Sequence, residues 1–249
     1  MTGFSTGFFI SQFMNKYGTL YLIPSLIAED NANAVIPQGI IKLISGLDEF
    51  IVENERTARR FLKTIKYIKS LDSLILHTLN KHTEFLEIPA YLNSLLNGKD
   101  IGLLSEAGCP CIADPGSEVV YLAHQHGINV KPLVGPSSIL LALIASGFNG
   151  QNFTFNGYLP IDKNARIKKI KELENKAIRE DQTQIFMETP FRNMSLLNDI
   201  LNSCKPSTLL CIAADITSTN EFIQTKSISE WKNNIPQLNK ITAVFLLYK

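Results

Sequence analysis

The chain has 249 residues, 24 Lys and Arg against 23 Asp and Glu, a formal net charge of +1, and 45% hydrophobic and 19% charged residues. That balance excludes long disordered, collagen-like, coiled-coil and mucin-like stretches, and it excludes a general polyanion binder while leaving room for a local basic patch. The length suits one large domain or two of roughly 100–150 residues with a real core.

No apolar run approaches the roughly 20 residues that span a bilayer, so no membrane partner is expected. Cys109, Cys111, Cys204 and Cys211 are few and unevenly spaced, which reads as reduced thiols of a cytoplasmic protein. The opening MTGFSTGFFISQFMNKYG has two readings. As a signal peptide it lacks a basic start and a small-x-small cleavage site, and Gly7 and Gln12 break its apolar stretch. As an upstream extension, residues 1–13 precede Met14 as the true start, and this reading is the better one.

Strand and helix then alternate. Thr19–Pro24 is a short apolar run without alternation, the mark of a strand buried on both faces. Phe50–Glu53 is a strand, and Glu55–Lys69 an amphipathic helix with Ala58, Phe61, Leu62, Ile65 and Ile68 on one face. A strand at Leu74–Leu79, a helix at Ile88–Leu96 and a strand at Ile101–Ser105 follow. A helix at Ser117–His126 stops at Gly127, a strand covers Ile128–Leu133, and an apolar helix over Ser137–Ala145 stops at Gly147. The loop chemistry of Gly147–Asn152 marks a boundary: 1–18 is an N-terminal extension, 19–149 a first α/β domain and 150–249 a second. Beyond it come strands at Phe153–Gly157, Gln184–Glu188, Thr208–Ala214 and Ile241–Tyr248. Helices fall at Asp162–Glu180 and Arg192–Asn202, and Phe222–Thr225 pairs with a neighbour. Repeated strand–helix units imply α/β domains with largely parallel sheets.

Residues 1–147 carry 11 Lys/Arg and 13 Asp/Glu, residues 148–249 carry 13 and 10, so the second half is the more basic. Two helices concentrate the cations: Arg56, Arg59, Arg60, Lys63, Lys66 and Lys69 on one, and Lys163, Arg166, Lys168, Lys169, Lys171, Lys176 and Arg179 on the other. Each is a solvated face or a phosphate-facing surface.

The segment richest in unusual chemistry is Ser105–Gly116, SEAGCPCIADPG, between a buried strand and a helix. Ligands of open α/β sheets sit at that edge, and a tight connection needs only about 2–6 residues. Val134–Ser138, VGPSS, joins another strand to another helix, with Ser137 and Ser138 at the helix start. Cys109 and Cys111 have no matching Cys/His pair, and His124 and His126 cannot share a helix face, so no metal site is expected. Walker A, GxGxxG and GxSxG patterns are absent.

These segments resemble the tetrapyrrole-methylase superfamily of S-adenosyl-L-methionine-dependent methyltransferases, most closely its small-subunit ribosomal RNA ribose 2′-O-methyltransferase I group. The family loop SDAGTPLISDPG is mirrored by Ser105–Gly116, PGPSA by Val134–Ser138, and GFLP by Gly157–Pro160. EDTRHTRKLL is mirrored in part by Glu53–Leu62 and FYESPHR by Phe186–Arg192, in family order. The resemblance implies two α/β domains with S-adenosyl-L-methionine between them, a homodimer, and ribosomal RNA or the small ribosomal subunit as partner. It implies cofactor contacts at Pro24, Ser105, Glu106, Ala107, Gly108, Cys109, Ile112, Ser137, Ser138, Met187, Glu188, Thr242 and Ala243. The chain departs from the pattern at four places. TPIGNL is here Ile23–Ala28 (IPSLIA), the SDAG acid is Glu106, HTR becomes Thr57-Ala58-Arg59, and ELTKxHEE becomes Asp215–Glu221 (DITSTNE).

A ribose hydroxyl is a poor nucleophile at neutral pH, so a general base is expected, with Glu188, Asp114 and Glu53 as candidates. Arg56, Arg59, Arg60 and Arg192 are the candidates for RNA phosphates. Two rivals remain: methylation of a tetrapyrrole or other small molecule, which an apolar, arginine-free cleft would favour, and a non-catalytic cofactor-binding paralogue.

Overall fold

The computed structural model describes residues 16–28 and 32–249; the proposed extension 1–13 and the Met14 start lie outside the described residues. In chain order come β1 (Thr19–Ile23), α1 (Ala32–Val35), α2 (Gln38–Ile44), β2 (Glu49–Val52), α3 (Glu55–Thr64), β3 (Ile75–Thr78), α4 (Asn93–Leu96), β4 (Ile101–Leu104), α5 (Ser117–Gln125), β5 (Asn129–Pro132) and α6 (Ser138–Ser146). Then follow β6 (Phe153–Tyr158), α7 (Lys163–Glu180), β7 (Thr183–Glu188), α8 (Asn193–Ser203), β8 (Leu209–Ala214), β9 (Phe222–Ser227), α9 (Ile228–Asn233) and β10 (Ala243–Tyr248).

The first sheet has the order β3-β2-β4-β1-β5, and every pairing in it is parallel. Its strands alternate between two covered faces. Ile23, Phe50, Val52 and Leu104 pack with α3, through Ala58, Phe61 and Leu62, while Leu20, Ile51, Ile101 and Leu103 pack with α5, through Val119 and Ala123. Double burial is why these strands read as unbroken apolar runs. The chain leaves neighbouring strands β1 and β4 in opposite directions, towards β2 and β5. A crevice opens at such a switch point.

The second sheet, β6-β7-β10-β8-β9, corrects the expectation of parallel strands. Only β6–β7 is parallel; β7–β10, β10–β8 and β8–β9 are antiparallel. Its strands are also covered on both faces, by α7, α8 and α9 on one side and by α6 on the other. An apolar run set by double burial carries no information about strand direction. Helix α6 follows the last strand of the first sheet yet packs Ile139, Ala142 and Leu143 on the second, so its start lies where the two sheets meet.

Helices α1 and α2 were not anticipated, and three further helices differ from expectation. The helix predicted over Glu55–Lys69 ends at Thr64, where Lys66 takes a left-handed φ of 57°. The Lys66 amide donates to the Lys63 carbonyl and the Tyr67 amide to that of Leu62, a Schellman closure made without glycine. The Ile88–Leu96 helix is instead a 3₁₀ segment, Phe85–Leu92, leading into the short α4; Pro89 lies inside it and has no amide to donate. Helix α9 was not anticipated, although Ser227 and Glu230 form its capping box.

Arg166, read from sequence as one cation of a solvated face, is buried. Its guanidinium sits 2.6 Å from Asp199 Oδ2 and donates to the Ile161 carbonyl at 2.7 Å and to Ser195 Oγ at 3.1 Å. Replacing Arg166 by Met strands the Asp199 charge in the core, and urea unfolding should show a loss of about 3–5 kcal/mol. The double variant Arg166→Met/Asp199→Leu should recover most of that loss.

Candidate active site

The loop between β4 and α5, residues 105–116, is held by its own carboxylate. Asp114 accepts hydrogen bonds from the Ser105 hydroxyl and from the amides of Glu106 and Ala107. Cys111 and Ala113 adopt positive φ of 65° and 63°, backbone strain that non-glycine residues carry mostly at functional turns. The loop is tied to the segment after β1, where the Ser25 amide donates to the Gly108 carbonyl at 2.8 Å and the Gly108 amide back to Ser25 at 3.3 Å. It is also tied to the segment before α6, where Cys109 Sγ donates to the Pro136 carbonyl at 3.5 Å. That segment needs glycine at 135: a Cβ there would lie 2.1 Å from Pro24 Cγ.

These loops face the ends of β7, β8 and β10 across a cleft of about 220 Å³. Ten of the thirteen residues expected at a cofactor line it: Ala107, Gly108, Cys109, Ile112, Ser137, Ser138, Met187, Glu188, Thr242 and Ala243. The other three do not line it. Pro24 packs on Gly135, Ser105 is buried against Asp114, and Glu106 accepts from the Thr57 hydroxyl. Asp114 lines the cleft, as do Ile27, Tyr158, Ala213, Ile216 and Val244, which sequence reasoning did not single out. Tyr158, Ile27 and Ile216 lay inside the quoted GYLP, IPSLIA and DITSTNE segments; Ala213 and Val244 are ordinary apolar residues without a distinguishing signal.

The cleft fits an adenosyl group. Its walls are small and apolar at Ala107, Gly108, Ala213 and Ala243, which suits a flat ring. One acceptor stands unsatisfied beside them. Glu188 is buried, its Oε1 receives the Thr189 amide at 2.7 Å and Arg192 Nη2 at 2.6 Å, and its buried Oε2 has no hydrogen-bond partner. An orphaned buried carboxylate oxygen costs free energy unless a ligand donates to it.

Of the four arginines expected at RNA phosphates, Arg56, Arg59 and Arg60 share α3, and Arg192 stands apart beside Glu188. Arg192 is engaged with Glu188 and with Thr189 Oγ1. Arg59 donates to the Leu71 carbonyl and lies 3.7 Å from Glu55. Arg60 lines a separate hollow with Leu26, Thr57 and Glu106, and Arg56 is exposed in the first turn of α3. The basic helix α7 packs on the opposite face of the second sheet from the cleft-lining Met187, Ala213 and Val244.

The three candidate bases differ in surroundings. Burial pushes the Asp114 carboxyl up, while its hydrogen bonds from Ser105, Glu106 and Ala107 pull the other way. Burial also raises Glu53, with Asp114 and Glu106 adding repulsion. Glu53 lies outside the cleft, in an adjoining cavity that also meets Asp114. The Tyr158 phenol is raised by burial and by Asp114 and Glu188, which places these groups in one electrostatic neighbourhood. Among the described residues no cluster of His, Cys, Asp and Glu could hold a metal ion, and no helix is long and apolar enough to cross a membrane.

Comparison with known proteins gives the same outline. Residues 40–231 match the family described as tetrapyrrole (corrin/porphyrin) methylases. A ribosomal RNA small subunit methyltransferase I of Vibrio cholerae is 32% identical over 211 residues, 85% of this chain and 69% of that protein. The protein of the same name from Thermotoga maritima is 32% identical over 208 residues, 82% of this chain and 88% of that one. Among solved structures, the methyltransferase CobJ superposes with a TM-score of 0.59 at 17% identity, covering 94% of each chain. The cobalt precorrin-4 methyltransferase CbiF gives 0.56 at 14% identity, covering 92% of this chain and 94% of that one.

Because its raised pKa marks the Glu53 carboxylate as unfavourable in the folded state, Glu53→Gln should raise the melting temperature at pH 8. The gain should shrink as pH falls and wild-type Glu53 takes up its proton, vanishing below the ordinary carboxylate range. Melting curves across pH check this.

Proposed function

Since the chain belongs to the tetrapyrrole (corrin/porphyrin) methylase family and is a methyltransferase, we propose that it transfers the methyl group of S-adenosyl-L-methionine to a ribose 2′-hydroxyl of small-subunit ribosomal RNA. The observation that supports this best is the cleft: residues from both sheets meet there, and the unpaired Glu188 Oε2 offers an acceptor beside small apolar walls. The acceptor class rests on relatives named as small-subunit ribosomal RNA methyltransferases over most of this chain.

When bound, the cofactor supplies a methyl group activated on a sulfonium, so the protein is left with positioning and proton removal. Loop 107–112 and the Ser137–Ser138 turn hold the cofactor from one side, and Met187, Thr242 and Ala243 from the other. Glu188 Oε2 would receive a donor of the adenosyl group, and Arg192 holds that carboxylate in place. Asp114 would take the proton of the acceptor hydroxyl. Its burial moves its pKa towards the working range of a general base. The proposal includes a cytoplasmic homodimer, supported by the outward face of α6, where Leu140 and Ile144 are exposed.

A small-molecule acceptor is the second reading, and one observation favours it: the cleft wall is largely apolar and no arginine lines it. Titration calorimetry followed by methyl labelling separates the two. The wild type should bind S-adenosyl-L-methionine and S-adenosylhomocysteine saturably, and Ser137→Trp should weaken both by about tenfold or more, roughly 1.4 kcal/mol. Tritiated methyl should then appear on RNA of small subunits lacking the mark. Label on a tetrapyrrole and none on RNA would overturn the assignment.

A further inference from the structure

A second cavity, of about 740 Å³, opens beside the cleft, within the size range of small-ligand sites. It lies over the carboxyl ends of three parallel strands: Glu53 and Asn54 follow β2, Asn80 to Thr83 follow β3, and Asp114 to Glu118 lead from β4 into α5. Asp114 lines both this cavity and the cleft. Whatever enters the cavity therefore abuts the cleft at Asp114.

The wall is polar and its charge is one-sided. Glu53, Glu106, Asp114 and Glu118 line it, against Lys81 and His82. Such a field repels a phosphate or a polycarboxylate such as a tetrapyrrole bearing acid side chains. It suits an uncharged group with several N–H and O–H donors, because ionised carboxylates are strong acceptors. The rim has the opposite sign. Arg56 is exposed two residues beyond Asn54, whose side chain receives the Arg56 amide at 2.9 Å, and Lys81 is an exposed lining residue. A nucleotide turned out of an RNA strand has this pattern of charge, a neutral nucleoside between two anionic phosphates.

We propose that this cavity is the acceptor subsite, receiving one extruded nucleoside whose ribose meets the cofactor cleft at Asp114 while Arg56 and Lys81 hold the flanking phosphates at the rim. The proposal rests on the ribosomal RNA reading above and adds the position and the charge rule by which the acceptor is chosen. It also accounts for an arginine-free cleft: the cations are needed at the rim, where the phosphates stay.

His82 and Glu118 are exposed wall residues, so a bulky side chain at either narrows the cavity without entering a core. The test measures the KM for small subunits lacking the mark, the kcat, and the affinity for S-adenosylhomocysteine in His82→Trp and Glu118→Trp. Both variants should raise the acceptor KM roughly tenfold or more and leave S-adenosylhomocysteine affinity within about twofold, since neither residue lines the cleft. Arg56→Ala should weaken particle binding and lessen its dependence on salt. Wild-type labelling of ribosomal RNA with both tryptophan variants indistinguishable from it would overturn the subsite alone. Wild-type labelling of a tetrapyrrole and not of RNA would overturn the function it rests on, and the nucleoside with it.

Discussion

The Asp114 carboxylate, accepting from the Ser105 hydroxyl and from the Glu106 and Ala107 amides, folds the β4–α5 loop back on the edge of the first sheet. Everything at the site depends on that reversal. It brings Gly108 into pairing distance of Ser25, sets Cys109 against the Pro136 carbonyl, and exposes Ala107 to Ile112 as one wall of the cleft. The same carboxylate forms part of the second cavity. One side chain thus fixes the loop and lines both cavities. The order in which these roles conflict is set by charge: hydrogen bonds favour the carboxylate form, and burial opposes it more strongly.

That arrangement is costly, and the cost is carried elsewhere. Glu53 and Asp114 are both raised in pKa, and Glu106 stands near them, a concentration of like charge at the carboxyl edge of a parallel sheet. Unfavourable titrating groups of this kind gather at functional sites. The offset comes from two sheets, each covered on both faces by helices, and from polar contacts buried away from the site. Among these is Glu174, which receives the Lys205 amide at 2.7 Å and the Thr208 hydroxyl at 2.5 Å. Helix α6 joins the two cores, since it begins at the cleft with Ser137 as its cap and ends buried on the second sheet.

The alternation of strands and helices was legible in the sequence because apolar runs and amphipathic periods depend on local burial. Strand direction in the second sheet was not, because Leu209–Ala214 and Ala243–Tyr248 are buried on both faces whichever way they run. Helix α3 was read too long because its end rests on Lys66 in a left-handed conformation that glycine usually marks. The loops at the cleft were visible as chemistry in excess of what a connection needs. The partners of two candidate arginines were not legible: only the fold brings the Leu71 carbonyl to Arg59 and the Glu188 carboxylate to Arg192. The second cavity was invisible, since its walls come from separate segments of the chain, among them Glu53–Asn54, Asn80–Thr83 and Asp114–Glu118, with no shared motif.

The central claim is that one cofactor is gripped by loops of both sheets. Ultraviolet cross-linking of methyl-labelled S-adenosyl-L-methionine to the protein, followed by peptide mapping, tests it most directly. The account predicts label on peptides that contain residues 107–112 or 137–138 and on peptides that contain 187–190 or 242–244, all competed away by S-adenosylhomocysteine. Competable label confined to peptides outside these four segments would contradict it.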